Sequence, residues 1–240
     1  MGWAHVMAEG RHSYEKIVKE LRAAILGGEE LPPGAWLPSE KQLQDRYGVA
    51  RNTVQRAMND LVGEGLVAVE PKKGAYVRSY DRQARPVRLN MVNWEFGARV
   101  TVELVTTPVQ LQAQEPDATG VFRRRVVGRS IGDTYWCRSV TNAVPGLTSP
   151  TPLEEADVLL LADAGVPAVE GTAETIARMP TPEESALLDI LPGTPVLEQA
   201  VMLTSGERIL GMRVEVYPGD RYKLVYGLPT LDFPASDDGE

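Results

Sequence analysis

The run Arg51-Asn52-Thr53-Val54-Gln55-Arg56 sets polar side chains with directed hydrogen-bonding groups within six residues. A guanidinium such as that of Arg51 can grip a guanine edge with two parallel bonds, and the amides of Asn52 and Gln55 match adenine N6 and N7. Thr53 and Arg56 suit a phosphate or a further base contact. Upstream, Ser39 precedes an apolar-periodic run, where a hydroxyl and free backbone amides suit a phosphate oxygen. Downstream, Lys72 and Lys73 can neutralise phosphates, and Gly74 lets the backbone come close to a minor groove. Glu40 and Asp45 have the wrong sign for phosphate. Glu40 reads as a helix-start charge or as a partner that orients an arginine. Any one of these residues alone is an ordinary solvated side chain; the set in this order points to DNA.

Such groups work only if elements hold them. Tyr14, Ile17, Val18, Leu21, Ala24 and Ile25 fall on one helical stripe after Ser13, and Gly27 and Gly28 end it. Ser39 with Gln42 forms a capping box for a second helix, which Gly48 closes. A third helix is expected from about Arg51 to Glu64, with Val54, Ala57, Met58 and Leu61 inward. Two short β-branched runs then flank Pro71-Lys72-Lys73-Gly74 as a hairpin.

After an aperiodic stretch the pattern changes. "RVTVELVTTPVQLQ" and "VFRRRVVGRSIGDTYWCRSVTNAV" alternate as strands do. "TPLEEADVLLLADAG" reads as a helix with Pro152 in its first turn, and "VEGTAETIARM" as a strand. "TPEESALLDI" reads as a helix with a Thr181–Glu184 capping box and Pro182 first. "TPVLEQAVMLTSGERILGMRVEVYPGDRYKLVY" reads as two or three antiparallel strands with Gly206 at the first turn. The class is α+β. The expected units are a leader without order (1–12), a DNA-binding unit (13–79), a linker (80–96), a second unit (97–231) and an acidic tail (232–240).

The charge divides along the same line. The net charge is −8, yet Arg11 to Arg85 holds 13 Lys and Arg against 10 Asp and Glu, and Pro86 onward holds 12 against 22. A mildly basic head is joined to an acidic body. The single cysteine, Cys137, allows no internal disulfide, and the two histidines, His5 and His12, precede the body. That removes histidine triads and imidazole metal clusters from the body, and no cofactor is implied. Glu174, Glu198 and Glu215 form no catalytic constellation by spacing, so no enzyme is expected. With no apolar run of about 18 residues and no signal segment, the expected place is the cytoplasm, without a membrane.

The stretch "LPSEKQLQDRYGVARNTVQRAMNDLVGEGLVAVEPKKGAYV" resembles the winged helix-turn-helix of GntR-family transcription regulators. The resemblance implies that Arg51, Thr53, the position of Gln55 and Gly74 lie at the DNA. Ala50 stands where the family has Ser, and Gln55 where it has Arg. The second part, through "ETIARMPTPEESALLDILPGTPVLEQAVML" and "VYPGDRYKLVY", resembles the UTRA domain of the HutC-type subfamily over roughly Gly97 to Pro229. That implies a chorismate-lyase-like antiparallel-sheet domain that binds a small effector. The resemblance sets Arg123 and Arg125 where paired arginines hold a phosphate, and Tyr222 matches. Val140 and Asp157-Val158-Leu159 depart from the sugar-phosphate pattern. An anionic effector held by Arg123, Arg125 or Arg138 remains open, as does a larger apolar one near Trp136 and Met212. The function implied is a repressor that binds an operator as a homodimer and is released by an effector. The alternative is a plasmid-transfer or copy-control type of repressor with no effector.

Overall fold

The computed structural model describes residues 3–86, 98–112, 120–151, 153 and 157–227. The head opens with α1 (Trp3–Gly27), followed by α2 (Glu40–Tyr47) and α3 (Arg51–Gly63). A hairpin of β1 (Val67–Glu70) and β2 (Gly74–Val77) completes it. The first helix starts at Trp3, so Ser13 lies inside it, not at its cap. No proline interrupts residues 3–13, and Ala4, Met7, Ala8 and Glu9 favour the helix over a leader without order.

The expected caps form. Ser39 Oγ accepts the Gln42 amide at 3.3 Å and the Ser39 amide donates to Gln42 Oε1 at 2.8 Å. Gly48 closes α2 in the left-handed region at φ 63°. The four inward residues of α3 are all buried, and they pack with Ile17, Val18, Leu21, Ile25 and Leu43 in one core. α3 thus lies on α1 with its polar face outward. Arg22 of α1 pairs with Glu64 just past the end of α3.

The body is a six-stranded antiparallel sheet in the order β4-β5-β6-β9-β8-β7. Its strands are β4 (Arg99–Val105), β5 (Val121–Val127), β6 (Ile131–Trp136), β7 (Glu170–Arg178), β8 (Val196–Ser205) and β9 (Arg208–Pro218). One face carries α5 (Arg138–Ala143), a 3-10 turn (Pro145–Thr148) and α6 (Asp157–Asp163), packed on Trp136, Val201 and Leu203. The other carries α7 (Pro182–Leu188), with Leu188 and Ile190 on Ile131, Val196 and Val216. The Thr181–Glu184 box starts α7, and Arg178 of β7 binds Glu184 and Glu198 together. That pins α7 to the sheet.

Three expectations are corrected here. The first strand run breaks after Val105, where Pro108 starts the short α4 (Val109–Gln112). The second run ends at Trp136, and Arg138 starts a helix. The last strand, β10 (Tyr222–Val225), leaves the main sheet and pairs in parallel with β3 (Gln83–Pro86), which lies in the expected linker. Linker residues 87–96, the Pro152 helix start and the acidic tail lie outside the described residues.

Leu61 is fully buried between α3 and α1. Leu61→Ala is expected to cost about 2–5 kcal/mol of stability, measured by urea unfolding, because the helix pair cannot collapse onto the void.

Candidate nucleic-acid interface and ligand site

The first turns of α3 leave Arg51 and Asn52 exposed, with Thr53 and Gln55 half-buried behind them. Ala50 at the N-cap supplies no side-chain acceptor, so the leading amides of α3 keep their donor capacity. Arg51 is held from behind. Its Nε donates to Glu40 Oε2 at 2.9 Å, and Gln55 Nε2 lies 3.4 Å from Glu40 Oε1. Glu40 therefore touches two expected readers at once, the orienting role open to it in the sequence. The pair stays well solvated, with side-chain exposures of 67% for Arg51 and 43% for Glu40, so it positions more than it stabilises.

Arg56 is exposed and lays its guanidinium over the Tyr14 ring at 4.4 Å, which ties its stem to α1. At the wing, Lys72 is exposed and sits left-handed at φ 68°, which lifts it to the tip. Lys73 pairs with Glu70 at 2.6 Å. Gly74 at φ 121° packs near Trp36, whose ring meets Tyr76 edge-on. The hydroxyl of Ser39 is engaged in its cap.

In the body the four expected ligand residues are dispersed. Arg123 and Arg125 do share a face of β5, and both meet carboxylates there. Arg123 binds Glu103; Arg125 binds Asp133 at 2.7 and 2.8 Å and Glu183 at 2.8 Å. The bonds to Asp133 hold the Arg125 guanidinium more firmly protonated than usual. Arg138 is exposed at the start of α5. Tyr222 is buried on β10, its ring against Tyr217. Trp136 and Met212 are both buried, and their strand positions put them on opposite faces. Glu198 and Glu215 likewise face opposite ways.

The other face of β5 gathers groups that the sequence reading passed over. Arg124 is paired in register with Thr134, and Thr134 with Arg213. Arg124 donates to two backbone carbonyls, Thr151 at 2.9 Å and Ser149 at 3.3 Å, and burial lowers its pKa. Arg213 binds Asp157 at the start of α6. Further along, Tyr217 Oη donates to Glu215 at 2.6 Å; burial first, then that carboxylate, pushes the phenol far above its usual pKa. Gln199 reaches Thr175 and Tyr226 at 3.3 and 3.2 Å. Strand alternation sets Arg124 opposite to Arg123 and Arg125, and the register with Thr134 and Arg213 gives the face.

Among the described residues no three His, Cys, Asp or Glu side chains group to hold a metal ion, and no helix is long and apolar enough to cross a membrane.

Comparison with known proteins follows the same division. Residues 13–77 match the bacterial regulatory proteins of the gntR family, and residues 142–223 match the UTRA domain. The chain is similar to the HTH-type transcriptional repressor NagR of Bacillus subtilis (strain 168), 24% identical over 234 residues, covering 91% of this chain and 95% of that one. It is also similar to the histidine utilization repressor of Pseudomonas putida, 24% identical over 231 residues, covering 91% and 93%. A crystal structure assigned to the GntR family of transcriptional regulators superposes with a TM-score of 0.58 at 24% identity, covering 91% of this chain and 98% of that one. That likeness carries the fold.

The Glu40 geometry gives a direct expectation. Glu40→Gln removes a negative charge beside Arg51 and loosens its aim. Binding to random-sequence duplex is expected to tighten by roughly two- to tenfold, while preference for a selected sequence falls. Fluorescence anisotropy at fixed salt checks both, and an unchanged ratio of the two affinities would remove Glu40 from the reading apparatus.

Proposed function

The chain joins a GntR-family helix-turn-helix to a UTRA domain and so belongs to the HutC-type GntR regulators, and from this we propose that it is a repressor whose body answers a small anionic effector. The carrying observation is the pair of Ser39-capped α2 and α3, which exposes Arg51 and Asn52 with Glu40 bracing the guanidinium. On this reading Arg51, Asn52 and Gln55 meet base edges, while Ser39, Thr53, Arg56, Lys72, Lys73 and the Gly74 backbone meet phosphates and grooves. Two chains bind near-palindromic half-sites as a symmetric dimer.

For the effector, we favour the β5 face that carries Arg124 over the one that carries Arg123 and Arg125. Charge decides it. Arg123 and Arg125 face three carboxylates, Glu103, Asp133 and Glu183, which already answer two positive charges. Arg124 donates to neutral carbonyls, so its charge is available to a carboxylate or phosphate. Arg213, Gln199 and Tyr217 supply directed polar groups on the same face. Arg138 starts α5 and Tyr222 lies on β10 outside the main sheet, its ring against that of Tyr217.

Two measurements test the reading. With a duplex selected from random DNA, Arg51→Ala is expected to lose about 1–3 kcal/mol of specific binding, about five- to 150-fold, in anisotropy over a salt series. Weak, equal binding by both proteins counts against the reader assignment. In a thermal-shift panel of sugar phosphates and small carboxylates, a ligand that binds the native state raises Tm. That rise is expected to vanish in Arg124→Gln and to persist in Arg123→Gln; the reverse pattern returns the site to the other face.

A further inference from the structure

Head and body are joined by more than the chain between them. Arg78 directly follows β2, and its side chain is only 3% exposed. Among the described residues, its side-chain hydrogen-bond acceptors come from the body. It donates to Thr194 Oγ1 at 2.5 Å, to Asp220 Oδ2 at 3.0 Å and to the Pro192 carbonyl at 3.4 Å. Pro192 and Thr194 belong to the turn between α7 and β8, Asp220 to the turn between β9 and β10. A buried cation stripped of one acceptor is strongly destabilising, so this contact tolerates one geometry and few neighbours to it.

Beside Arg78 the two backbones touch. Gly193 sits left-handed at φ +73°, and a Cβ there would run into the Val62 carbonyl oxygen and lie 2.8 Å from that of Gly63. Those are the last residues of the reading helix α3. Gly65, also at φ +73°, would put its own Cβ 2.9 Å from the Gly193 oxygen. Tyr80 closes the seam: its hydroxyl donates to the Gly65 carbonyl at 2.6 Å, and Arg78 and Arg82 lie over its ring at 5.2 and 4.8 Å. Arg82 Nε donates to the Gly219 carbonyl at 2.6 Å.

The seam grips the C-terminal end of α3 and leaves Arg51 and Asn52 at the other end exposed. It therefore fixes the direction of the helix without covering its polar face. Asp220, in the β9–β10 turn, lies three residues past Tyr217, which is on the face proposed for the effector.

We propose that Arg78, Thr194 and Asp220, closed over the Gly65–Gly193 contact, form a latch that sets the orientation of the reader head on the body, and that the latched form is the one that fits both half-sites of an operator. This rests on the regulator reading for its DNA half alone; the latch itself is a property of the chain without DNA.

The test has two readouts on the full-length protein. The variants are Arg78→Gln, which strips the cation, and Gly193→Ala, which pushes the backbones apart while leaving the charges. Gly206→Ala is the control, since Gly206 is also left-handed at φ +58° but has open space around it. The first readout is the head–body distance distribution between spin labels on Lys73→Cys and Arg129→Cys, in a Cys137→Ser background diluted with unlabelled chain. Wild type and Gly206→Ala are expected to give one narrow distance, and the two latch variants a broad one. Narrow, unchanged distances in both variants overturn the latch, whatever the DNA result. The second readout is anisotropy on a duplex selected by the wild type and on one half-site of it. Affinity for the full duplex is expected to fall tenfold or more in both latch variants, with half-site affinity within about twofold of wild type. Equal or tighter binding to the full duplex overturns the latched form as the binding form, and an equal loss on the half-site shows that the residues merely support the head. A wild type that selects no sequence defeats the regulator reading, and the distances still decide the latch.

Discussion

A strand puts neighbouring side chains on opposite faces, and the body buries both faces of its central strands. Each polar residue on β5, β6, β9 or β8 is thereby committed to one of two faces, that of α5 and α6 or that of α7. Burying a charge costs several kcal/mol unless it is paired. The three consecutive arginines of β5 show the consequence. Arg123 and Arg125 turn toward the face of α7 and find carboxylates there; Arg124 turns the other way and finds carbonyls. One residue of register separates a cation paired with carboxylates from one bonded to carbonyls.

Electrostatics in the head work by placement more than by sum. The mild excess of positive charge between Arg11 and Arg85 would give little selectivity alone. Glu40 has the wrong sign for phosphate, yet its carboxylate braces Arg51 and approaches Gln55. On the reading proposed above, it trades non-specific attraction for aim. The acidic body acts in the same direction at longer range. It repels phosphate wherever the head does not engage, within a Debye length of about 8 Å at physiological salt.

The local elements were legible because local chemistry decides them. Ser39–Gln42, Thr181–Glu184, Gly48 and Gly206 each fix a cap or turn within a few residues, and the α3 stripe of Val54, Ala57, Met58 and Leu61 buries as its spacing requires. What was not legible depends on register across the chain. Alternation alone places Arg123 and Arg125 together but does not say which face holds the carboxylates; Asp133 and Glu183 reach Arg125 from β6 and α7. The pairing of β3 with β10 joins segments about 140 residues apart, and no periodicity in either short run announces it. The strand-like run through Arg138 misled because a short helix and a strand end read alike over a few residues.

The seam between head and body combines a weak part with a specific part. Two four-residue strands paired outside any larger sheet are marginal by themselves. They bring the segments together without fixing an angle. Direction comes from Arg78, whose planar guanidinium must meet acceptors on two separate turns, and closeness comes from glycines that allow backbone contact. A joint held throughout by apolar packing would be hard to open. A joint held by one buried cation has a sharply defined closed state, and a small shift of the β9–β10 turn is enough to take Asp220 out of reach. An effector needs only a few kcal/mol of differential binding to move such an equilibrium. On the reading proposed above, Glu215 and Tyr217 of the Arg124 face lie on the strand that leads into the Asp220 turn.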